Sequence, residues 1–300
     1  MRQVVLVDFD EKVVAALTDP EAELWFPHLT NDLAQTGWRK LKDEIGLDKS
    51  DYGTARVLLK TPCAMRRVPS HISVKPSENS VRDLILVEEL PGVIARPYKN
   101  SGIDFYESTL ISPNGTVDSE ILNCLCDAFN IIQQATSLNK TVIELVRSIH
   151  LIKPVSDDYD VSFSEPHIPF SIFISIPQKN NKINAFRVAE AIVHEAMHLQ
   201  LTLVEGIIPL VSGNEENFYS PWKEEFRTAQ GVLHALYVFR VITVLMDEIE
   251  SQKNLVKEIK NHARERSRQI RDQISEINNF EDCPNLTEIG QKFVKILFTS

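Results

Sequence analysis

The chain of 300 residues is long enough for one large domain or two ordinary ones, and its 43% hydrophobic and 25% charged residues are typical of a soluble globular protein. Its formal net charge of −10 argues against a general nucleic-acid binder, because little positive charge is left to neutralise a phosphate backbone. The apolar run at residues 4–7 is too short for a secretory signal, and no run approaches the length of a membrane span. With only four irregularly spaced cysteines, the protein is expected to be cytoplasmic and reduced.

Residues 1–115 are predicted to form a mixed α/β region. Apolar residues recur at helical spacing over 11–17 and 31–45. A strand is predicted at 54–59, and short apolar runs at 84–88, 92–96 and 103–110, separated by proline or glycine, predict a small antiparallel sheet or looped strands. Because exposed strands can hold an extended peptide, this region is a candidate for peptide binding.

Residues 116–300 are predicted to be mainly helical and to continue the first region as one body. A polar loop at 156–167 leads to a strand at 169–177, and Cys124 and Cys126 are expected in the core. A loop at 207–219 is followed by Pro221 at an expected helix start. The fold class is therefore α+β, mainly helical. Helices are predicted at 118–135, 141–151, 184–204, 228–247, 248–279 (charge-rich, with a solvated face) and 287–298.

The most informative segment is His194-Glu195-Ala196-Met197-His198, an H-E-x-x-H motif inside the predicted 184–204 helix. Residues four apart lie on one helix face, so the two imidazoles can bind one metal ion while Glu195 points to its outer sphere. The competing interpretation is a pair of hydrogen-bonded core histidines. Two buried histidines one turn apart would be costly without a metal, so the metal site is favoured. Imidazole suits several transition metals, so the motif does not name one.

A defined metal site needs a third protein ligand, and His234 is the best candidate. It is a lone polar residue on the apolar 228–247 helix, where a hydrogen-bonded core histidine is the usual interpretation. Arg227 lies seven residues earlier, which on one continuous helix would be two turns away on the same face. Its guanidinium suits a carboxylate at the open side of the metal, while a surface ion pair with a nearby glutamate is equally consistent. Carboxylate ligands are also conceivable at Glu205, Glu215, Glu216, Glu224 and Glu225.

Three segments resemble the HExxH motif-containing peptide modification proteins, which are associated with gene clusters for ribosomally made, post-translationally modified peptides. They are residues 189–199, the Tyr219-Ser220-Pro221-Trp222-Lys223 segment, and Arg227 with residues 231–235. The resemblance covers about residues 162–244, and its combination of H-E-x-x-H, S-P-W and R-x(6)-H is more specific than the first motif alone. It implies an Fe(II)- and 2-oxoglutarate-dependent oxygenase that hydroxylates a side chain of a precursor peptide, often at the β-carbon.

The same resemblance assigns roles to the site residues. His194, His198 and His234 would hold Fe(II), with 2-oxoglutarate and O₂ as cosubstrates. Arg227 or Lys223 would bind the distal carboxylate of 2-oxoglutarate, and Trp222 belongs to the same cofactor-binding segment. Glu195 would orient ligands or water. Three histidines depart from the commoner iron triad of two histidines and one carboxylate.

The alternative interpretation is a zinc peptidase, in which Glu195 acts as general base on a metal-bound water. A peptidase requires Glu195 but no cation for a second carboxylate, whereas the oxygenase requires such an anchor and Arg227 is a candidate for it. A metal-stabilised binding protein would need a closed site of four ligands, and the sequence offers no convincing fourth one. We therefore predict the oxygenase and keep the zinc peptidase as its rival.

Overall fold

The structure, a computed structural model, describes residues 8–45, 71–74, 85–88, 119–152, 161–164, 170–177, 181–213, 215–277 and 279–299. Over these residues it has the predicted α+β fold with a mainly helical body. The described helices are α1 (Phe9–Thr18), α2 (Thr30–Ile45), α3 (Ser119–Ile132), α4 (Thr136–Leu145), α5 (Lys182–Glu205), α6 (Ala229–Ser251), α7 (Lys257–Ser275) and α8 (Glu288–Thr299), with a 3-10 turn at Phe280–Asp282. The described strands are β1 (His71–Val74), β2 (Ile85–Glu88), β3 (Ser148–Ile152), β4 (Ser162–Ser164), β5 (Ser171–Ser175), β6 (Glu216–Ser220) and β7 (Glu225–Thr228).

One five-stranded sheet has the order β1-β2-β3-β5-β4. Its inner strands β2, β3 and β5 run parallel, while β1 and β4 pair antiparallel at the two edges. All five residues of β5 are buried, as expected for a strand covered on both faces. At the β4 edge, the rings of Phe163 and Phe173 stack with centroids 4.5 Å apart. This edge lies against α5, so β4 is positioned to contact the H-E-x-x-H helix.

Helix α5 carries the motif through the centre of the molecule. It begins where the Asn181 side chain accepts a hydrogen bond from the backbone N–H of Asn184 at 2.8 Å, which satisfies one of the free donors of the first turn. It ends at Gly206. Most of its residues are buried, because it packs against α3, α4, α6 and the sheet. The positions of the two motif histidines are therefore fixed by the core on several sides.

The two N-terminal helices pack on helices of the second predicted region. α1 packs on α8, and α2 packs on α4 and α5. The Trp25 indole N–H donates to the Ser137 hydroxyl at 3.0 Å, and the Tyr237 hydroxyl contacts the carbonyl of Leu24 at 3.0 Å. Residues 8–37 therefore contact helices that follow residue 118, while the single continuous body stays a prediction. The division at residue 115 and its peptide-binding role stay predictions.

Most of the predicted elements are confirmed. The helices predicted at 11–17, 31–45, 118–135, 184–204, 228–247 and 287–298 and the strands at 84–88 and 169–177 are present within a few residues of the expected bounds. The strands predicted at 54–59, 92–96 and 103–110 lie outside the described residues. The charge-rich stretch is divided, with α6 running on to Ser251 and α7 beginning at Lys257.

Three expectations for the second half were wrong. The predicted helix at 141–151 ends at Leu145. Residues 148–152 form β3 instead, because they pair with β5 inside the sheet. The predicted loop at 156–167 contains β4, which pairs with β5. The expected loop at 207–219 is cut short by β6, which begins at Glu216, and the helix start expected at Pro221 is replaced by the turn of an antiparallel hairpin of β6 and β7. In each case pairing with a distant strand or hairpin partner overrides the local pattern.

No segment was expected to have the length of a membrane span, but helix α6 does. This helix has 23 residues, and its most apolar window has a mean hydropathy of 1.5. By length and composition alone, it could cross a membrane. However, 67% of that window is buried inside the protein, as in the core helix of a globular fold. The apolar character of α6 is used to pack against α5 and α7.

Candidate metal centre

The two motif histidines face each other across one turn of α5. Their Nε2 atoms are 3.1 Å apart, and their rings meet edge to face with centroids 4.8 Å apart. Metal–nitrogen bonds of about 2.0–2.1 Å are compatible with that separation, so one ion can bind both nitrogens. The i, i+4 spacing thus produces the pair of donors that the sequence predicts.

His234 is brought to the same place from α6. Its Nδ1 lies 3.2 Å from Nδ1 of His198, with the two rings roughly parallel at 16°. His198 therefore lies between the other two histidines and presents a different nitrogen to each. For this reason no group of three His, Cys, Asp or Glu side chains converges on one point among the residues that the structure describes. The third-ligand role of His234 stays a prediction.

Both motif imidazoles are held in the neutral form that binds metal. Burial, with smaller contributions from the positive charges of Arg266 and Lys223, lowers the pKa of His194 to about 4. Burial also lowers the pKa of His198 well below its usual range, and the neighbouring histidines and Lys223 act in the same direction. A metal competes with a proton for the same lone pair, so neutral imidazoles near neutral pH favour loading.

Glu195 lies beside the histidine pair and is nearly inaccessible to solvent, with 2% of its surface exposed. Its Oε1 accepts a hydrogen bond from the Ser162 hydroxyl at 2.7 Å and lies 3.9 Å from Nε2 of His194. Burial raises the pKa of Glu195 to about 7, while hydrogen bonds from Ser162 and Ser164 and the charge of Lys223 oppose that shift. Neither serine was predicted as a site residue, because residues 156–167 were expected to form a loop. The Ser162-Phe163-Ser164 alternation was the available signal for a short strand.

A cavity of about 850 Å³ opens in front of the histidines. It contains all three of them and also Trp222, Lys223 and Arg227. Among the described residues that line it, the only formally charged side chains are Lys223 and Arg227, and no aspartate or glutamate is present. In a chain with a net charge of −10, this local excess of positive charge favours an anionic ligand.

The β6–β7 hairpin supplies these cations. Trp222 and Lys223 lie in its turn, where Glu224 has a positive φ of 53°, and Arg227 lies on β7. The expectation that Arg227 shares a helix with His234 is therefore wrong, since α6 begins at Ala229 with Thr228 as its N-cap. The hairpin nevertheless returns Arg227 to the cavity wall. The predicted surface ion pair is also present, because the Arg227 guanidinium lies 3.1 Å from the Glu225 carboxylate.

An aromatic wall closes the cavity on the side of His194. The Phe239 ring meets His194 edge to face at 5.3 Å and stacks on Trp222 at 4.8 Å. Arg266 lies over the same Phe239 ring at 5.6 Å and pairs with Glu190 at 2.7 Å. The Trp222 indole N–H is buried and has no hydrogen-bond partner among the described residues, so it is a donor available to a ligand.

Glu205 contacts His234, a role that the sequence analysis did not assign to it. Its carboxylate accepts a hydrogen bond from Nε2 of His234 at 2.8 Å and a second one from the Gln230 amide at 3.1 Å. The sequence contained a signal, because Glu205 follows His198 by seven residues and so lies two turns further on the same face of α5. What the sequence could not supply is the packing that sets His234 opposite that face.

The three cysteines that the structure describes do not line this site. Cys124 and Cys283 are buried, as is typical of core cysteines, whereas Cys126 is exposed, which corrects the expectation that it lies in the core. Cys63 lies outside the described residues.

Comparisons with known proteins add no family or relative. No protein-family model matches the chain, and no curated protein matches it in sequence.

Proposed function

We propose that the protein is an Fe(II)- and 2-oxoglutarate-dependent oxygenase that hydroxylates a side chain of a ribosomally made precursor peptide. The observation that carries the proposal is the composition of the cavity wall. A histidine pair with Nε2 atoms 3.1 Å apart shares one cavity with Lys223 and Arg227, and no carboxylate is present among its described lining residues. Such a site combines metal donors with cations that suit a dicarboxylate cosubstrate.

All three histidines suit a metal ion in their chemistry, and the pair of His194 and His198 also suits one in its spacing. His194 and His198 would hold it through Nε2, and His234 is the proposed third ligand. Since the Nε2 of His234 is engaged by Glu205, this residue would bind through Nδ1. When bound, Fe(II) supplies the redox centre for oxidative decarboxylation of 2-oxoglutarate, in which one atom of O₂ enters succinate and the other enters the peptide as a hydroxyl group.

The cations would orient 2-oxoglutarate. Arg227 or Lys223 would bind its distal carboxylate, while the 2-oxo acid end points to the histidines. The buried indole N–H of Trp222 offers one further hydrogen bond. Ligand pockets of drug-sized molecules span roughly 300–1,000 Å³. A cavity of about 850 Å³ therefore leaves room for a peptide side chain beside a small dicarboxylate.

Glu195 would orient His194 without contacting the substrate. Its hydrogen bond from Ser162 and its burial fix the carboxylate next to His194, and it is not among the residues that line the cavity. These features favour an orienting role over direct contact with substrate. The rival function, a zinc peptidase, requires Glu195 to take a proton from metal-bound water.

The test uses the full chain loaded anaerobically with Fe(II), to which 2-oxoglutarate is added before O₂ and a precursor peptide. We expect succinate to form and the peptide to gain one oxygen atom, as measured by mass spectrometry. The zinc-loaded protein with the same peptide and no 2-oxoglutarate is the second arm. Cleavage of the peptide chain in that arm, without oxygen incorporation in the first, would establish the peptidase instead.

Substitution of the cations tests the cosubstrate site separately. A hydrogen bond to a charged group contributes about 1.5–3 kcal/mol, so Arg227→Ala or Lys223→Ala should raise the KM for 2-oxoglutarate about 10- to 100-fold while leaving iron content unchanged. Arg268→Ala is the matched control, because Arg268 is 61% exposed on α7 and its partners among the described residues are surface carboxylates. An unchanged KM in both cavity variants would remove the cations from the proposal.

A further inference from the structure

A chain of short polar contacts continues from the motif histidines to a carboxylate. His198 contacts His234 through Nδ1 at 3.2 Å, and Nε2 of His234 contacts Oε2 of Glu205 at 2.8 Å. The side chains of His234 and Glu205 are each only 13% exposed, so solvent competes little for this bond. Glu205 lies outside the lining of the large cavity and would not itself contact a bound ligand there.

We propose that Glu205 is a positioning residue for His234, which it holds with the ring proton on Nε2 and the lone pair on Nδ1. This inference rests on the proposed metal site. A carboxylate only accepts hydrogen bonds, so the contact at 2.8 Å requires Nε2 to carry the proton. In a neutral imidazole the other nitrogen is then bare. That bare nitrogen is the one facing His198 and the site.

The carboxylate is itself held in place. Gln230, one turn before His234 on α6, donates its amide N–H to the same Oε2 at 3.1 Å. Glu205 is the last residue of α5, two turns beyond His198 on the same face. The hydrogen bonds of Glu205 with His234 and Gln230 therefore link the end of the motif helix α5 to α6, which carries His234. Metal-binding histidines commonly have their second ring nitrogen fixed in this way by a carboxylate.

The arrangement also explains how three donors could converge. The two nitrogens of His198 flank its Cε1, and each faces one neighbouring histidine. A half-turn of the His198 ring about its Cβ–Cγ bond exchanges Cε1 and Nε2. After such a rotation, Nε2 would occupy the present position of Cε1, between the two ring positions that now face His194 and His234. Glu205 keeps His234 in the tautomer that this arrangement requires, while His198 is free of any such carboxylate among the described contacts.

The experiment compares the wild type with Glu205→Gln and Glu205→Ala. Glu288→Ala serves as the control, since it removes a surface carboxylate that pairs with Lys292 on the same helix. The first readout is the tautomer of His234 in the metal-free protein, measured by ¹⁵N NMR of the imidazoles and assigned with His234→Gln. The second is the affinity for Co(II) and Fe(II), measured by competition with a chromophoric chelator.

We expect the wild type, the control and Glu205→Gln to keep the proton on Nε2, because the glutamine carbonyl oxygen also accepts it. Glu205→Ala should give a mixture of tautomers and weaken metal affinity about 10- to 100-fold, the range typical for loss of such a partner. Glu205→Gln should lose less, since only the charge is removed.

A wild-type tautomer or wild-type metal affinity in Glu205→Ala would overturn the proposal and reduce Glu205 to a structural link between α5 and α6. Failure of the wild type to bind either metal would overturn this inference and the proposed function together. If the tautomer and affinity change as expected but 2-oxoglutarate is not consumed, the oxygenase assignment fails while the role of Glu205 stands.

Discussion

The Tyr237 hydroxyl provides the most direct test of how the motif helix is anchored. Tyr237 is fully buried on α6, and burial raises its pKa well above the usual range. Its hydroxyl contacts Oε1 of Gln200 at 2.6 Å and the carbonyl oxygen of Leu24 at 3.0 Å. Gln200 lies two residues after His198, and its amide donates to the carbonyl of Trp25 at 2.7 Å. The network therefore links α5, α6 and the N-terminal segment.

Replacement of Tyr237 by phenylalanine removes only the hydroxyl. The ring can still stack on Phe26 and pack on Phe293, so little cavity is expected. Two buried acceptors, on Gln200 and Leu24, lose a donor that could serve either of them. A buried polar group left without a partner costs about 1–3 kcal/mol. We therefore expect Tyr237→Phe to lower the free energy of unfolding by about 1–3 kcal/mol.

The assay is equilibrium unfolding in urea or guanidinium, followed by fluorescence and circular dichroism. Tyr219→Phe is the matched control, because Tyr219 is 42% exposed on β6 and a surface substitution usually changes stability by less than about 0.5 kcal/mol. If the two variants unfold at the same denaturant concentration, the hydroxyl is not a structural anchor. An altered slope of the transition in the Tyr237 variant would instead indicate a change in two-state behaviour.

Two further predictions concern the packing of the body. A Cβ on Gly290, in the first turn of α8, would overlap the backbone carbonyl of Leu210, so Gly290→Ala should destabilise the fold by about 1–3 kcal/mol. Gly206→Ala is the control and should be tolerated, because the nearest atoms to a Cβ at that position lie 3.3 Å away or more. Equal melting temperatures for the two variants would contradict this packing. Burial raises the pKa of Cys124 to about 12, with a smaller contribution from Asp127, so this thiol should resist iodoacetamide in the native protein near neutral pH and react only after unfolding, while the exposed Cys126 reacts first. Peptide mapping by mass spectrometry measures both rates, and faster labelling of Cys124 than of Cys126 would refute the assignment.

The sequence predicted the parts of the site that lie within one helix. A period of 3.6 residues fixes the relative positions of His194 and His198, so their facing Nε2 atoms follow from spacing alone once the helix is recognised. The apolar runs likewise located α5, α6 and β5, because each must bury one or more faces. The choice of His234 as a partner followed from the rarity of a polar residue on an apolar helix, and the structure does place it beside the motif.

The errors arose where contacts join residues that are distant in the sequence. The segment containing Trp222, Lys223 and Arg227 carries a proline and polar residues that are compatible with a helix start. Pairing of Phe218 with Arg227 and of Tyr219 with Phe226 makes it a hairpin instead. Similarly, residues 148–152 have apolar spacing that fits a helix, but they occupy the sheet between β2 and β5. Strand pairing depends on which partner is available, and no local window contains that information.

The sequence by itself determined that this chain has a helix with two histidines on one face and a mainly helical α+β body to bury it. Only the tertiary structure decided what surrounds those histidines. It brought Ser162 to Glu195, set Glu205 against His234 across 29 positions of the chain, and returned the hairpin cations to the cavity. Local geometry is dictated by backbone periodicity, whereas these contacts depend on how α5, α6, β4 and the hairpin pack together, which is a property of the whole fold.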